Sequence, residues 1–307
     1  MSYPIDQKLV VAVASSALFD LTDSDRVFRE RGVEAYRKYQ EAHIDATLSK
    51  GVAFPFIKRL LNLNCFFTEE QPIEVVLLSR NSPETGLRVF RSIQHYGLQI
   101  TRAGFFSGNA PYKYLPAYNA TLFLSANEED VRAACACGFA AGRVLHSKME
   151  DDEGEELRIA FDFDGVVAND AAEKIFQEKG MEVFHSTESS QAQMPLQPGL
   201  LANLFAKIAA LQHLELTKRN QEHNYQRIIK TAIITARNAP AHERLVNTLK
   251  NWGVDVDEVF FLGGIDKSRI LDIMQPHIFF DDQLGHLAHL SNIPAVHIPF
   301  GITNIIT

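Results

Sequence analysis

The chain has 307 residues, enough for about two domains of usual size, and its 46% hydrophobic and 22% charged residues suit a globular protein with a substantial core. A net charge of −8 excludes a surface built to coat nucleic acid, because phosphate backbones call for basic patches. The three cysteines, Cys65, Cys135 and Cys137, are too few for a disulfide framework or a thiolate zinc site; they read as small buried side chains in a reducing cytoplasm.

The first element is the apolar run LVVAVASSALF from Leu9. It falls short of the roughly 20 residues of a membrane span and has no basic leader. It reads as a strand, so no membrane partner is expected and the protein is placed in the cytoplasm.

The next segment, DRVFRERGVEAY (Asp25–Tyr36), returns later as EKIFQEKGMEVF (Glu173–Phe184), an offset of 173 − 25 = 148. The same offset pairs Gly51 with Gly199, Leu48 with Leu196, and the strand-like VAV of Val11–Val13 with the IAF of Ile159–Phe161. Further on, SRNSP matches ARNAP (Arg80/Arg237, Asn81/Asn238, Pro83/Pro240). The offset has become 237 − 80 = 157, with the insertion assigned to QHLELTKRNQEHNYQR. HYGLQI then matches NWGVDV, AGFFSG matches VFFLGG (Phe105/Phe260, Phe106/Phe261, Gly108/Gly263), and LFLSAN matches IFFDDQ. Order and spacing persist throughout, the mark of a unit written twice. Two tandem α/β units are predicted, residues 1–150 and 151–307, divided at the acidic stretch SKMEDDEGEE.

In the second copy the predicted strands are RIAFDF, TAIITA, EVFFLG, HIFFDD and PAVHIPF, separated by helical stretches such as GLLANLFAKIAALQ and PAHERLVNTLKNWG. Strands that are apolar throughout suit a mainly parallel sheet covered on both faces. Ligands of such sheets bind at the carboxyl ends of the strands. Those ends carry Asp162 and Asp164 in FDFDGVV, Thr235 in IITAR, Lys267 in GGIDKSRIL, and Asp281 with Asp282 in FFDDQ. Oxygen ligands of this kind suit Mg²⁺: carboxylates from Asp162 and the Asp281–Asp282 pair, and the main-chain carbonyl of Asp164. Thr235 and Lys267 supply donors for a phosphoryl group. Asp162 is placed to attack phosphorus, and Asp164 to protonate the leaving oxygen and then activate water.

Each piece alone is commoner as a cap or surface charge; all four in order at successive strand ends make the signal. The first copy has Ala14 and Ser16 opposite Asp162 and Asp164, and Ser125 and Ala126 opposite Asp281 and Asp282. It is therefore read as a degenerate copy without chemistry, which helps cover or shape the substrate site.

The four motifs resemble those of the haloacid dehalogenase-like phosphatases. From Leu9 to Gly301 the chain is similar to the cytosolic type I 5′-nucleotidases, through ASSALFD, RVFRERGVEAYRKYQ, GVAFPFIKRLL, YLPAYNATLFLSA, LKNWGVDVDEVFFLGG and PHIFFDDQ. The resemblance implies two Rossmann-like units and Mg²⁺-dependent hydrolysis of nucleoside 5′-monophosphates. It implies a nucleophile at Asp162, an acid/base at Asp164, and phosphate binding at Thr235 and Lys267. In that family a glycine often separates the two acids; here Phe163 stands between them, able to alter packing beside the site.

Arg237 and Asn238 are candidates for phosphate or ribose, with helix-start capping as the alternative. Tyr112 and Lys113 are candidates for the nucleoside, while Phe19, Tyr112 and Tyr114 are either base-stacking or packing aromatics. His286 and His289 lack the pattern of a zinc site and read as residues behind the site or on a helix surface. A phosphatase for another small phosphomonoester, such as a sugar phosphate, and a non-catalytic nucleotide-binding regulator are the competing readings. A homo-oligomer is left open.

Overall fold

The computed structural model describes residues 3–148 and 151–304. The chain divides into two compact units, one ending at Ala134 and the other starting at Cys135.

In the first unit, β1 (Leu9–Val13) leads through α1 (Ser15–Leu18), α2 (Thr22–Ala42) and α3 (Phe54–Phe66) to β2 (Ile73–Ser79). α4 (Pro83–His95), β3 (Arg102–Phe105), β4 (Leu122–Ser125) and α5 (Glu128–Ala136) follow. The strands lie in the order β3-β2-β1-β4, and all their pairings are parallel. Every residue of β1 and β2 is buried, which is why these strands are apolar without alternation.

The second unit opens with β5 (Ala141–Val144), β6 (Leu157–Phe161), α6 (Ala171–Ser190), α7 (Ala202–Gln221) and β7 (Ile229–Thr235). It continues with α8 (His242–Trp252), β8 (Glu258–Phe261), α9 (Ser268–Met274), β9 (Ile278–Asp281), α10 (Leu284–Leu287) and β10 (Ala295–His297). The order is β5-β10-β9-β6-β7-β8, parallel except for the antiparallel β5–β10 pair. That pair sets Val144 against Val296, so the compact unit starts earlier than the division expected at residue 150. Phe161 packs edge-on to Phe205 and stacks on Phe280, fixing the middle of this core.

The two units agree in detail. Val11–Val13 faces Leu122–Leu124 as Ile159–Phe161 faces Ile278–Phe280. Ser79 pairs with Phe105 as Thr235 pairs with Phe261, which corrects the sequence pairing of Phe105 with Phe260. The strand offset is 235 − 79 = 156 and holds through the turn: the Asn81 N–H donates to Ser79 Oγ as the Arg237 N–H donates to Thr235 Oγ1. Asn81 therefore stands opposite Arg237, and the sequence pairing of Arg80 with Arg237 is one residue out. α2 is kinked at Gly32 (φ 77°, ψ −176°) and α6 at Gly180 (φ 80°, ψ 177°). The insertion assigned to the second copy largely lengthens a helix: α7 has 20 residues where α3 has 13.

Among the described residues no helix is long and apolar enough to cross a membrane. Cys135 is buried as expected, but Cys65 and Cys137 are exposed, so the buried reading fails for these two. Phe19 is fully buried against Phe54 and Tyr96, a packing residue and not a stacking platform.

Candidate active site

The carboxyl ends of β6 and β9 lie side by side, and this brings Asp162 and Asp281 together. The Asp162 N–H continues the strand pairing by donating to the Phe280 carbonyl (2.8 Å). Lys267, just before α9, sets its Nζ 2.9 Å from Asp162 Oδ2 and 2.6 Å from Asp281 Oδ2. His286 on α10 places Nδ1 3.2 Å from the Asp281 carboxylate. One oxygen or nitrogen from each of Asp162, Asp281 and His286 falls within a 4.8 Å cluster suited to an ion. Asp282 is also buried. It accepts from the Thr303 hydroxyl (2.6 Å), while its Oδ1 has no hydrogen-bond partner among the described residues.

Three carboxylates (Asp162, Asp281, Asp282) and one ammonium (Lys267), each less than 5% exposed, carry a formal charge of −3 + 1 = −2. Buried charge of this kind is costly unless it is compensated. Burial and the neighbouring Asp281 push the Asp162 carboxyl up, against the pull of Lys267. Burial and Asp162 push Asp282 up as well. Burial acts on Asp281 in the same sense, but Lys267 and His286 outweigh it and hold that carboxyl below its usual value. Burial would discharge Lys267, yet the two aspartates hold it well above its usual value. An excess of buried hard oxygens over cations, with one oxygen unpartnered, fits a divalent ion such as Mg²⁺. Gly165 has φ 76°, and a Cβ there would lie 2.6 Å from Asp282 Oδ2, so the turn after Asp164 needs glycine.

Asp164 lies apart from this cluster through its side chain. Arg237 grips both its oxygens, Nε to Oδ2 at 2.7 Å and Nη2 to Oδ1 at 2.8 Å. Arg237 is itself buried, donates to Glu188, and lies over the rings of Phe163 and Phe184. Arg244 completes the network from the other side of Glu188 (2.7 Å). Burial would discharge Arg237, but Asp164 and Glu188 keep it charged. Thr235 is buried at the end of β7, where its hydroxyl accepts the Arg237 backbone N–H (3.2 Å). Asn238 Oδ1 meets His185 Nε2 at 2.9 Å.

The expected residues of the second unit therefore gather as two linked groups. Asp162, Lys267, Asp281 and Asp282 form one, and Asp164, Arg237, Thr235 and Asn238 form the other. Tyr112 and Lys113 lie in the first unit, on the turn Pro111–Tyr114. His289 is exposed. The sequence reading missed Glu188, Arg244 and Thr303, and left His286 either behind the site or on a helix surface. A glutamate in a helix or a threonine near the end of the chain carries no local signal of burial; only the fold supplies it.

A family model for 5′-nucleotidase matches residues 1–305. Human cytosolic 5′-nucleotidase 1B is 33% identical over 288 residues, covering 91% of this chain. The chain spans 46% of that relative's length. No solved structure matches. On the family match over nearly its whole length, the chain belongs to the 5′-nucleotidase family, as its resemblance to the cytosolic type I members implied.

Proposed function

We propose that this chain is a Mg²⁺-dependent phosphomonoesterase that hydrolyses nucleoside 5′-monophosphates through a phosphorylated Asp162. The observation that carries the reading is the buried Asp162–Lys267–Asp281 cluster at the ends of adjacent parallel strands, beside an aspartate two residues on. The family match and the name of the human relative favour a nucleotide over a sugar phosphate. That name also favours a cytosolic location.

Asp162 and Asp281, with Asp282 and His286 beside them, would hold the ion, which when bound offsets charge on the transferring phosphoryl oxygens. Lys267 already neutralises one oxygen of Asp162. Its other oxygen accepts the Phe163 N–H (2.7 Å), an arrangement that fixes the carboxylate's direction. Asp162 Oδ attacks phosphorus as the ester oxygen leaves with the bonding pair, and Asp164 gives that oxygen a proton. Water then attacks the aspartyl-phosphate, Asp164 takes its proton, and phosphate departs.

Asp164 cannot do this while Arg237 holds both its oxygens. An incoming phosphate dianion competes for the guanidinium, and this exchange frees the acid as substrate binds. The direct test is phosphate release from a panel of nucleoside monophosphates and sugar phosphates, by the wild type and Asp162→Asn. Nucleotide turnover lost in the variant supports the reading; sugar-phosphate turnover alone moves it to the other substrate class. No Mg²⁺-dependent release from any member overturns it.

A further inference from the structure

The first unit has lost the carboxylates but keeps a cavity. Its volume is about 540 Å³, within the range of small-ligand sites, and its walls come from α2, the turn after β2, the turn after β3 and the start of α5. Asn81 stands there where the second unit has Arg237, with Arg80 just before it. Tyr36 donates to Asn81 Oδ1 (3.1 Å). The Asn81 Nδ2 is buried with no hydrogen-bond partner among the described residues.

Charge distinguishes this cavity from the rest of the protein. Arg29, Arg37 and Arg80 line it against Asp25, and with Asp130 paired to Arg80 the local excess is 3 − 2 = +1 on a chain of net charge −8. Asp130 grips Arg80 by two oxygens (2.7 and 2.8 Å), and Gly108 accepts from it, so this guanidinium is held in one orientation. Arg37 is exposed and makes no ion pair among the described residues. An aromatic wall adjoins the charges: Phe28 is 48% exposed and meets Tyr36 edge-on at 5.8 Å. Exposed aromatic surface beside the exposed Arg37 guanidinium suits a ligand with a flat ring at one end and an anion at the other.

We propose that this cavity is a second, non-catalytic nucleotide site, with the phosphate toward Arg37 and Arg80 and the base against Phe28. Without acids at positions 14, 16, 125 and 126, a nucleotide bound there is held and not hydrolysed. Arg29 supplies further positive field, and the Asn81 amide has N–H donors to offer.

The test locates the bound nucleotide instead of counting turnover, so it stands whether or not the second unit is a phosphatase. The full-length Asp162→Asn chain is photolabelled with 8-azidoadenosine 5′-monophosphate, and the labelled peptides are mapped by mass spectrometry. Label on the segment carrying Phe28 to Arg37 is expected, displaced by adenosine 5′-monophosphate and at least tenfold less well by adenosine. Arg37→Glu, at an exposed position, should reduce this label at least tenfold, while Arg37→Lys retains most of it. Label confined to the second unit overturns the proposal, as does first-unit label that persists in Arg37→Glu. Displacement by adenosine as good as by the nucleotide also overturns it.

Discussion

The two units share a scaffold down to single hydrogen bonds, and their differences collect at the strand ends. In the first unit Arg88 Nε donates to the Ala46 carbonyl (2.8 Å) and Ser92 Oγ accepts the Leu48 N–H (2.9 Å). In the second, Arg244 Nε donates to the Met194 carbonyl (2.9 Å) and Thr248 Oγ1 accepts the Leu196 N–H (3.1 Å). Yet Asp162 stands where the first has Ala14, Asp281 where it has Ser125, and Glu188 where it has Gln40. The frame keeps even a buried guanidinium, Arg88 or Arg244, in the same place, whereas at these three positions a neutral group is exchanged for a carboxylate. A burden of buried charge with no packing purpose is the signature expected of an active site.

The largest test of this contrast is at the nucleophile. Asp162→Asn should fold normally and lose about a thousandfold or more of its phosphatase rate, on the order of 4 kcal/mol of barrier. The reverse change, Ala14→Asp, should give no second activity and should lower stability by about 3 kcal/mol, because it buries an uncompensated carboxylate. Phosphate release and urea unfolding read the two effects. Wild-type turnover in Asp162→Asn would remove that residue from the mechanism.

Metal dependence sharpens the same contrast. Chelation should abolish activity and added Mg²⁺ should restore it. Mg²⁺ should also raise the melting temperature of the wild type, since an ion bound only by the folded state stabilises it. Asp281→Asn, which makes this position neutral as Ser125 is, should lose that rise. Full activity after exhaustive chelation would sink the magnesium reading.

The buried ion network offers a test in stability. Glu188 is 1% exposed and joins Arg237 to Arg244, whereas Gln40 offers only its amide oxygen to Arg88 (3.3 Å). Glu188→Gln should therefore cost about 3–5 kcal/mol by leaving buried guanidinium charge without its counter-ion. Gln40→Ala should cost less, about 1.5–3 kcal/mol, the scale of one hydrogen bond to a charged group. Equal losses would mean that Glu188 is no more than a packing residue.

Much of this was legible in the sequence because it is local or periodic. Runs such as LVVAV and TAIITA announce buried parallel strands, and FDFDGVV and FFDDQ place acids at their ends. What escaped depends on distance in space. Glu188 lies 188 − 164 = 24 residues beyond Asp164, and Thr303 lies 303 − 282 = 21 beyond Asp282, so no spacing rule links them. The phase of the repeat after β2 was also misread. The Arg-Asn pair common to both turns invites a slip of one residue, and only the strand pairing and the matching turn bonds of Asn81 and Arg237 restore the register, with Phe105 opposite Phe261.

The smallest effect asks whether the shared frame is energetically the same in both units. Gly32 and Gly180 kink their helices with nearly identical dihedrals in a region that only glycine occupies readily. A Cβ at either position would meet nothing within 4 Å, so the cost of Gly32→Ala or Gly180→Ala is backbone strain alone. Each should lose about 1–3 kcal/mol, with the two values agreeing to about 0.5 kcal/mol, as urea unfolding would measure. Gly180→Ala should also lower activity, because the kinked α6 carries His185 and Glu188 to Asn238 and Arg237. Gly32→Ala should leave the rate of the second unit unchanged, since its kink serves only the part of α2 that carries Tyr36 to Asn81. A large stability difference between the two would mean that the kinks match in shape but bear different loads.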